Sequence, residues 1–146
     1  LALIENKIAV SQEAENYLLK RFYHPEIDFS LGVQLRGIAS SCIDVSDGLL
    51  ADLAHVCTAS GVGADIETEK LPIAVEWRSS VSEQQARQWA LSGGDDYRLC
   101  FTAAPQHATV LQSLNGVTCI GHIVEGADIL IDGKKGFIHK KGFGHF

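Results

Sequence analysis

Methionine is absent from the 146-residue sequence, which begins at Leu1. Because the start residue is missing and the opening reads as the middle of an element, we expect the chain to be a fragment of a longer protein. No apolar run approaches the roughly 18 residues that a membrane-spanning helix needs, and the first residues have no signal-peptide pattern. These absences predict a cytoplasmic protein with no membrane partner.

Basic clusters are also absent. The sequence has 12 lysine and arginine residues against 18 aspartate and glutamate residues, which gives a formal net charge of −6. A nucleic-acid binder needs a positive patch or stripe, because much of its affinity comes from phosphate contacts. We therefore expect no nucleic-acid partner.

The cysteine and histidine residues lack the spacing of a metal or redox site. No C-x-x-C pair occurs among the four cysteines, and no i, i+4 pair occurs among the six histidines. The cysteines are Cys42, Cys57, Cys100 and Cys119. Each lies in an apolar segment, which favours buried free thiols, although an even number leaves disulfide bridges open. We assign neither residue type a metal.

Three common sequence motifs are missing as well. There is no G-x-x-x-x-G-K-S/T loop, no G-x-G-x-x-G after a strand and no G-x-S-x-G elbow. The P-loop, Rossmann and α/β-hydrolase interpretations therefore lose their main support.

An apolar fraction of 46% is sufficient for one packed domain, in which helical and strand periodicities alternate. Helices are predicted after Ser11, over 48–60, after Ser82 and over 105–114. Strands are predicted over 37–45, 63–68, 97–102 and 117–124, with a hairpin turn at Asp132-Gly133. This mixture predicts an α+β fold in which helices cover a mixed β-sheet.

The segment IDVSDGLL at 43–50 places oxygen-bearing side chains at a predicted strand-to-helix junction. Strand alternation puts Asp44 and Ser46 on one face, about 7 Å apart, and Asp47 falls in the first turn of the helix. Two carboxylates and a hydroxyl suit a hard cation such as Mg²⁺, and the helix N-terminus adds donors for an anion. Alternatively, Ser46 or Asp47 only caps the helix, which leaves Asp44 unexplained.

A second polar segment, SGGDDY at 92–97, joins a predicted helix end to a strand. Its paired glycines permit left-handed backbone and close approach by a ligand. Adjacent carboxylates beyond a helix C-terminus face the negative end of the helix dipole, which favours a compensating cation or donor. A glycine cap and a solvated turn, with Arg98 neutralising one acid, also explain these residues. Residue chemistry alone favours that simpler interpretation.

The C-terminal residues KKGFGHF at 140–146 offer aromatic surface that could stack on a planar ring. Aromatic side chains in such a tail more often pack back onto their own domain. Residue chemistry alone therefore favours packing of these aromatic residues over ligand binding.

Several segments, taken in order, resemble the C-terminal domain of thiamine-monophosphate kinases. They are IDVSDGLL at 43–50, GADI at 63–66, LP at 71–72, GGDDY at 93–97 and GFGHF at 142–146. They cover almost all of this chain but only about the second half of that family's enzyme. Aminoimidazole ribonucleotide synthetase and selenophosphate synthetase have related domains, and the combination of motifs favours the kinase.

The resemblance implies transfer of the ATP γ-phosphoryl group to thiamine monophosphate, which gives thiamine diphosphate and ADP and depends on Mg²⁺. It implies metal binding by Asp44 and Asp47 and a nucleotide contact by Ser46. It also implies substrate binding by Asp95 and Phe143. No side-chain nucleophile is required, because catalysis of this kind is mainly positioning and electrostatic stabilisation.

Two residues depart from the family pattern. Asp95 is one methylene shorter than the usual glutamate, and Arg98 stands where an acid is common. The resemblance further implies that residues 1–146 are a single C-terminal domain. An N-terminal domain would then supply most magnesium ligands, much of the ATP site and a homodimer interface. We therefore expect the fragment alone to be inactive.

Two other interpretations remain open from the sequence. One is a different ATP-using enzyme of the same superfamily, acting on a purine precursor or on selenide. The other is a non-catalytic binding or assembly module, in which the acidic segment at 43–50 is only the capped start of a helix.

Overall fold

The computed structural model describes residues 3–5, 8–78 and 81–135. Its helices are α1 (Gln12–Tyr23), α2 (Phe29–Gln34), α3 (Leu49–Ser60), α4 (Val75–Arg78), α5 (Glu83–Ser92) and α6 (Ala108–Ser113). Its strands are β1 (Ala39–Asp44), β2 (Gly63–Ile66), β3 (Leu99–Ala103), β4 (Gly121–Val124), β5 (Ile129–Ile131) and β6 (Lys134–Lys135). Short 3₁₀ turns span Thr68–Lys70 and Pro105–His107. Among these described helices, none is long and apolar enough to cross a membrane.

The strands are divided between two sheets. β1 and β3 pair in an antiparallel direction, with Asp44 opposite Leu99 at one end of the pair. The other sheet has the order β4-β2-β5-β6, in which β2 runs antiparallel to β4 and parallel to β5. Helix α3 contacts strands of both sheets. The predicted α+β fold, with helices on a mixed sheet, is therefore confirmed.

Helix α3 forms the centre of the core. Its apolar residues recur at helical spacing, and Leu49, Leu53 and Cys57 among them are buried. The helix is terminated by Gly61, which has a left-handed φ of 67°. The buried cluster around it comprises Val45, Leu49, Leu53, Cys57, Ala64, Ile66, Leu71, Leu91 and Ile129. Packing against both sheets fixes the position of α3, and it also fixes the turn that connects β1 to α3.

The predicted helix starts at Ser11 and Ser82 are confirmed. Their hydroxyl oxygens accept the backbone N–H groups of Ala14 and Gln85 at 3.3 Å and 3.2 Å. Strand lengths are less well predicted, because the strand expected over 117–124 begins only at Gly121. Helices α2 and α4 form in regions where no helix was predicted.

The hairpin predicted at Asp132-Gly133 joins β5 to β6 and is confirmed. Both residues have positive φ, 51° and 71°, as a two-residue hairpin turn requires. The carboxylate of Asp132 also accepts the backbone N–H and the hydroxyl of Thr68 at 2.9 Å and 2.7 Å. These bonds tie the hairpin to the 3₁₀ turn that follows β2.

Helix α1 buries less apolar surface than its periodicity suggests. Ala14 is its buried residue, whereas Tyr17 and Phe22 are each 43% exposed. Phe29 and Val33 on α2 are also exposed. The apolar stripe of α1 therefore lies largely at the surface of the described structure.

The four cysteines are free thiols, as predicted. The prediction that all four are buried is wrong. Cys57 is buried and Cys100 is half-buried, whereas Cys42 and Cys119 are exposed. Burial alternates along β1, and Cys42 occupies one of its outward positions. Cys119 lies in the irregular segment before β4, where strand packing does not cover it.

Candidate functional site

Two loops meet at the end of the β1–β3 pair. One leaves β1 after Asp44 and enters α3 at Leu49, and the other leads from the end of α5 to the start of β3. We term residues 44–48 together with residues 93–97 the acidic junction. The two polar segments recognised in the sequence are thus neighbours in the fold.

Main-chain hydrogen bonds join the two halves of the acidic junction. The N–H of Val45 donates to the carbonyl oxygen of Arg98 at 2.8 Å, and the N–H of Tyr97 donates to that of Val45 at 2.9 Å. The N–H of Asp95 donates to the carbonyl oxygen of Ser46, also at 2.9 Å. The pairing of β1 with β3 therefore continues into the loops and fixes their relative position.

Two glycines permit this close approach. A Cβ on Gly48, whose φ is 120°, would lie 2.8 Å from the carbonyl oxygen of Ser92. A Cβ on Gly94 would overlap the carbonyl oxygen of Ser46. A side chain at either position would push the loops apart, so the contact depends on glycine at 48 and 94.

Asp95 has left-handed backbone, with a φ of 62°, and Tyr97 follows with a φ of 52°. Such values are uncommon outside glycine. The paired glycines were expected to supply this conformation, but Gly93 is extended with a φ of −71°. The Tyr97 hydroxyl donates to a carboxylate oxygen of Asp95 at 3.1 Å, and this bond is the main reason that the pKa of Tyr97 is raised. Asp95 is therefore oriented while it remains exposed.

Asp44 and Asp47 present carboxylates with no hydrogen-bond or ion-pair partner among the described residues. Asp44 is exposed and Asp47 is half-buried. Carboxylate oxygens are suitable ligands for Mg²⁺. Within the described ranges, however, no group of three or more His, Cys, Asp or Glu side chains is placed to hold a metal ion.

The predicted positions of Asp47 and Ser46 need correction. Helix α3 begins at Leu49 after a Gly48 cap, so Asp47 lies before the helix rather than in its first turn. Strand β1 ends at Asp44, which places Ser46 in the turn rather than on a strand face. Since Gly48 occupies the cap position and provides no side-chain cap, the capping interpretation of Ser46 and Asp47 is wrong.

The residue that organises this turn, Asp52, was not recognised in the sequence. It is 3% exposed, and its Oδ2 atom accepts three consecutive backbone N–H groups. These belong to Ser46 at 2.9 Å, Asp47 at 3.1 Å and Gly48 at 3.3 Å. The available signal is an acid within the apolar run LLADLA at 49–54. The three backbone N–H groups of this turn therefore already have the Asp52 carboxylate as their acceptor.

Two arginines influence the pKa of Asp96. Its pKa is raised chiefly by desolvation, although part of the residue remains exposed, and the charges of Arg21 and Arg98 act in the opposite direction. Glu26 pairs with Arg21 at 2.6 Å and lies 3.8 Å from the Nη2 atom of Arg98. Arg98 therefore acts on Asp96 through its charge, while its ion pair is with Glu26.

Phe143, the other predicted substrate contact, lies outside the described residues.

Residues 6–133 match the family model described as AIR synthase related protein, C-terminal domain. The chain belongs to this family. Curated relatives of this AIR synthase related domain include thiamine-monophosphate kinases of Salmonella typhimurium, 39% identical, and Escherichia coli K12, 38% identical. Each match covers 100% of this chain and 48% of the relative. The domain therefore spans about half the length of these curated relatives.

Solved structures match the AIR synthase related domain over most of its length. Thiamine-monophosphate kinase from Stenotrophomonas maltophilia gives a TM-score of 0.79 at 38% identity, covering 88% of this chain and 42% of that chain. AaThiL complexed with AMPPCP and TMP gives a TM-score of 0.79 at 30% identity, covering 99% and 46%. These similarities confirm the resemblance to the C-terminal domain of thiamine-monophosphate kinases.

Proposed function

We propose that this domain belongs to an ATP-dependent thiamine-monophosphate kinase, which transfers the γ-phosphoryl group of ATP to thiamine monophosphate to give thiamine diphosphate and ADP. The acidic junction carries the proposal. On two loops joined by main-chain hydrogen bonds, it combines the Ser46 hydroxyl with the carboxylates of Asp44 and Asp47, which have no hydrogen-bond or ion-pair partner among the described residues. The similarity to AaThiL complexed with AMPPCP and TMP supports ATP and thiamine monophosphate as the two substrates.

Asp44 and Asp47 are the proposed Mg²⁺ ligands, and Ser46 is the proposed nucleotide contact. Bound magnesium neutralises charge that spreads over the transferring phosphoryl group. The residues of the junction hold their oxygens at fixed places, so that little reorganisation is needed during transfer. The acceptor is a phosphate oxygen of the substrate, and no side-chain nucleophile takes part.

Asp95 and Phe143 are the proposed substrate contacts. The Asp95 carboxylate is exposed and is oriented by the Tyr97 hydroxyl, so one face remains available to a ligand. A carboxylate there is attractive to the positively charged thiazolium ring of thiamine. An aromatic side chain such as Phe143 can stack on a flat ring of the same substrate.

Residues 1–146 are proposed to be the C-terminal domain of a longer, cytoplasmic two-domain enzyme. An N-terminal domain would supply the remaining Mg²⁺ ligands, much of the ATP site and a homodimer interface. Coverage of about half of the curated relatives supports this arrangement. The domain alone then lacks the groups that complete the site and is inactive.

The test is magnesium-dependent formation of thiamine diphosphate from thiamine monophosphate and ATP. The full-length protein and residues 1–146 are assayed side by side, with a purine-precursor substrate and selenide offered in parallel. Turnover of thiamine monophosphate by the full-length protein alone is the expected result. Turnover of another substrate would favour a superfamily relative, and silence with all three would favour a binding module.

A further inference from the structure

Asp52 is buried, yet its carboxylate is bonded to the turn that presents Ser46 and Asp47. We propose that Asp52 is a positioning residue of the phosphotransferase site. It holds the turn at 46–48 in place and, through that turn, the loop that carries Asp95. This inference rests on the proposed function and adds a residue that the resemblance did not assign.

The geometry of the turn depends on a single oxygen atom. The N–H groups of Ser46, Asp47 and Gly48 converge on Oδ2 of Asp52 within 2.9–3.3 Å. Three consecutive N–H groups can point at one atom only if the backbone curves tightly around it, and Gly48 supplies an unusual φ of 120°. Hydrogen bonds to a charged acceptor are roughly twice as strong as neutral ones, so a neutral amide cannot replace this carboxylate fully.

Ser46 connects the turn at 46–48 to the loop that carries Asp95. Its N–H donates to Asp52, and its carbonyl oxygen accepts the N–H of Asp95. The carbonyl oxygen of Val45 accepts the N–H of Tyr97, which in turn orients the Asp95 carboxylate. A displacement of the turn would therefore move the metal-binding and substrate-binding carboxylates together.

Asp52 does more than cap a helix. A Ser, Thr or Asp at the cap position would satisfy the first helical N–H groups from the helix end. Here the cap is Gly48, and the three bonds of Asp52 go to residues that precede the helix. The buried carboxylate of Asp52 thus stabilises the shape of the turn at 46–48, which is the part of the chain that presents the proposed ligands.

The experiment compares Asp52→Asn with Asp132→Asn in the full-length protein. Asp132 is the matched control because its carboxylate also organises a turn, through Thr68, outside the acidic junction. We measure kcat, the KM for each substrate, the Mg²⁺ concentration for half-maximal rate, the Tm and backbone amide exchange.

For Asp52→Asn we expect kcat or apparent Mg²⁺ affinity to fall about 10- to 100-fold, as is usual when a residue supporting metal ligands is lost. Amide exchange should accelerate at 46–48 and also at Asp95 and Tyr97. Asp132→Asn should lower the Tm while leaving kcat and the Mg²⁺ requirement unchanged. Asp52→Glu, which restores the charge at a longer reach, should recover part of the activity that Asp52→Asn loses.

A lower Tm in Asp52→Asn with unchanged kcat, Mg²⁺ requirement and Asp95 exchange would overturn the proposal. If Asp52→Asn does not fold, Asp52→Glu replaces it, and a lower Tm in Asp52→Glu with wild-type kcat, Mg²⁺ requirement and Asp95 exchange would overturn the proposal. Wild-type protein that fails to phosphorylate thiamine monophosphate would instead refute the proposed function. In that case amide exchange in the Asp52 variants still decides whether Asp52 holds the two loops together.

Discussion

The carbonyl oxygen of Ser46 accepts the backbone N–H of Asp95 at 2.9 Å. The two residues belong to loops that are far apart in the sequence, and each loop carries carboxylates of the acidic junction. Because the bond is between main-chain atoms, it fixes the loops without using a side chain that could bind a ligand. A change in either loop is therefore expected to affect both halves of the site.

The proposed function predicts that Asp44→Asn abolishes most of the thiamine-monophosphate phosphorylation by the full-length protein. A metal ion in such a site contributes several kcal/mol, so a loss on the order of 100-fold or more in kcat/KM is expected. The Tm should change little, because the Asp44 carboxylate is exposed and has no partner among the described residues. Asp128→Asn is the control, since Asp128 is an exposed acid paired with Lys135 at 2.7 Å. Unchanged activity and magnesium dependence in Asp44→Asn would favour a binding module.

Gly94→Ala should destabilise the domain, because its Cβ would overlap the carbonyl oxygen of Ser46. Forced overpacking of this kind typically costs about 1–3 kcal/mol, and we expect activity to fall as the loops separate. Gly32→Ala on α2 is the control, since among the described residues its Cβ would meet only Leu99 Cδ1, at 3.9 Å. Urea unfolding should show a stability loss for Gly94→Ala and none for Gly32→Ala. Equal stability of the two variants would contradict the close packing of the junction.

The contribution of Asp132 to stability should depend on pH. Hydrogen bonds from the N–H and hydroxyl of Thr68 hold the pKa of Asp132 below its ordinary value of 3.8. When the pKa of an acid is lower in the folded state, its contribution to stability is fully present above the pKa of the unfolded state. That contribution is lost as the pH falls through the pKa of the folded state. Asp132→Asn should therefore lower the Tm at neutral pH, and the difference from wild type should shrink below about pH 3.8. An equal Tm difference between Asp132→Asn and wild type at neutral and at acidic pH would contradict the assigned role of Asp132.

The cysteines should react with a thiol alkylator in a defined order. Burial raises the pKa of Cys57, and desolvation raises that of Cys100 to about 11. The pKa of Cys42 is also raised, first by desolvation and then by the charge of Asp44. Cys119 is exposed, and we expect it to be labelled first. Cys42 should react more slowly, because the thiolate is the reactive form and a raised pKa reduces its fraction. Peptide mass spectrometry should find Cys57 and Cys100 modified only after unfolding, and early labelling of Cys100 would contradict its position.

Elements with chemical signals at their ends were predictable from the sequence. Ser11, Ser82 and Gly61 mark helix ends, and Asp132-Gly133 marks a hairpin, because each residue type satisfies a local backbone requirement. Helix α2 was missed although Asp28 caps it by accepting the N–H of Leu31 at 3.1 Å. Its six residues have no buried apolar face, so periodicity gave no indication of it.

The sequence indicated which polar residues to consider better than it indicated how they are arranged. Asp44, Ser46, Asp47 and Asp95 were recognised as candidates from their chemistry, and the roles that the family resemblance implies for them stay predictions. Their proximity depends on the pairing of β1 with β3, a long-range contact that no local pattern specifies. Asp52 was missed for a related reason, because its role appears only when the chain before α3 folds back over it.

The strands of the two sheets are interleaved along the chain, which has a consequence for folding. β1 pairs with β3, and β2, which lies between them in sequence, pairs with β4 and β5. Each sheet combines strands that are separated in the sequence by a strand of the other sheet. Long loops must therefore close before the strand contacts form, which slows folding. During synthesis from the N-terminus, β1 and β2 remain without strand partners until β3 and β4 have emerged. The unpaired edges of β1 and β2 are therefore open to pairing with other chains while the chain is incomplete.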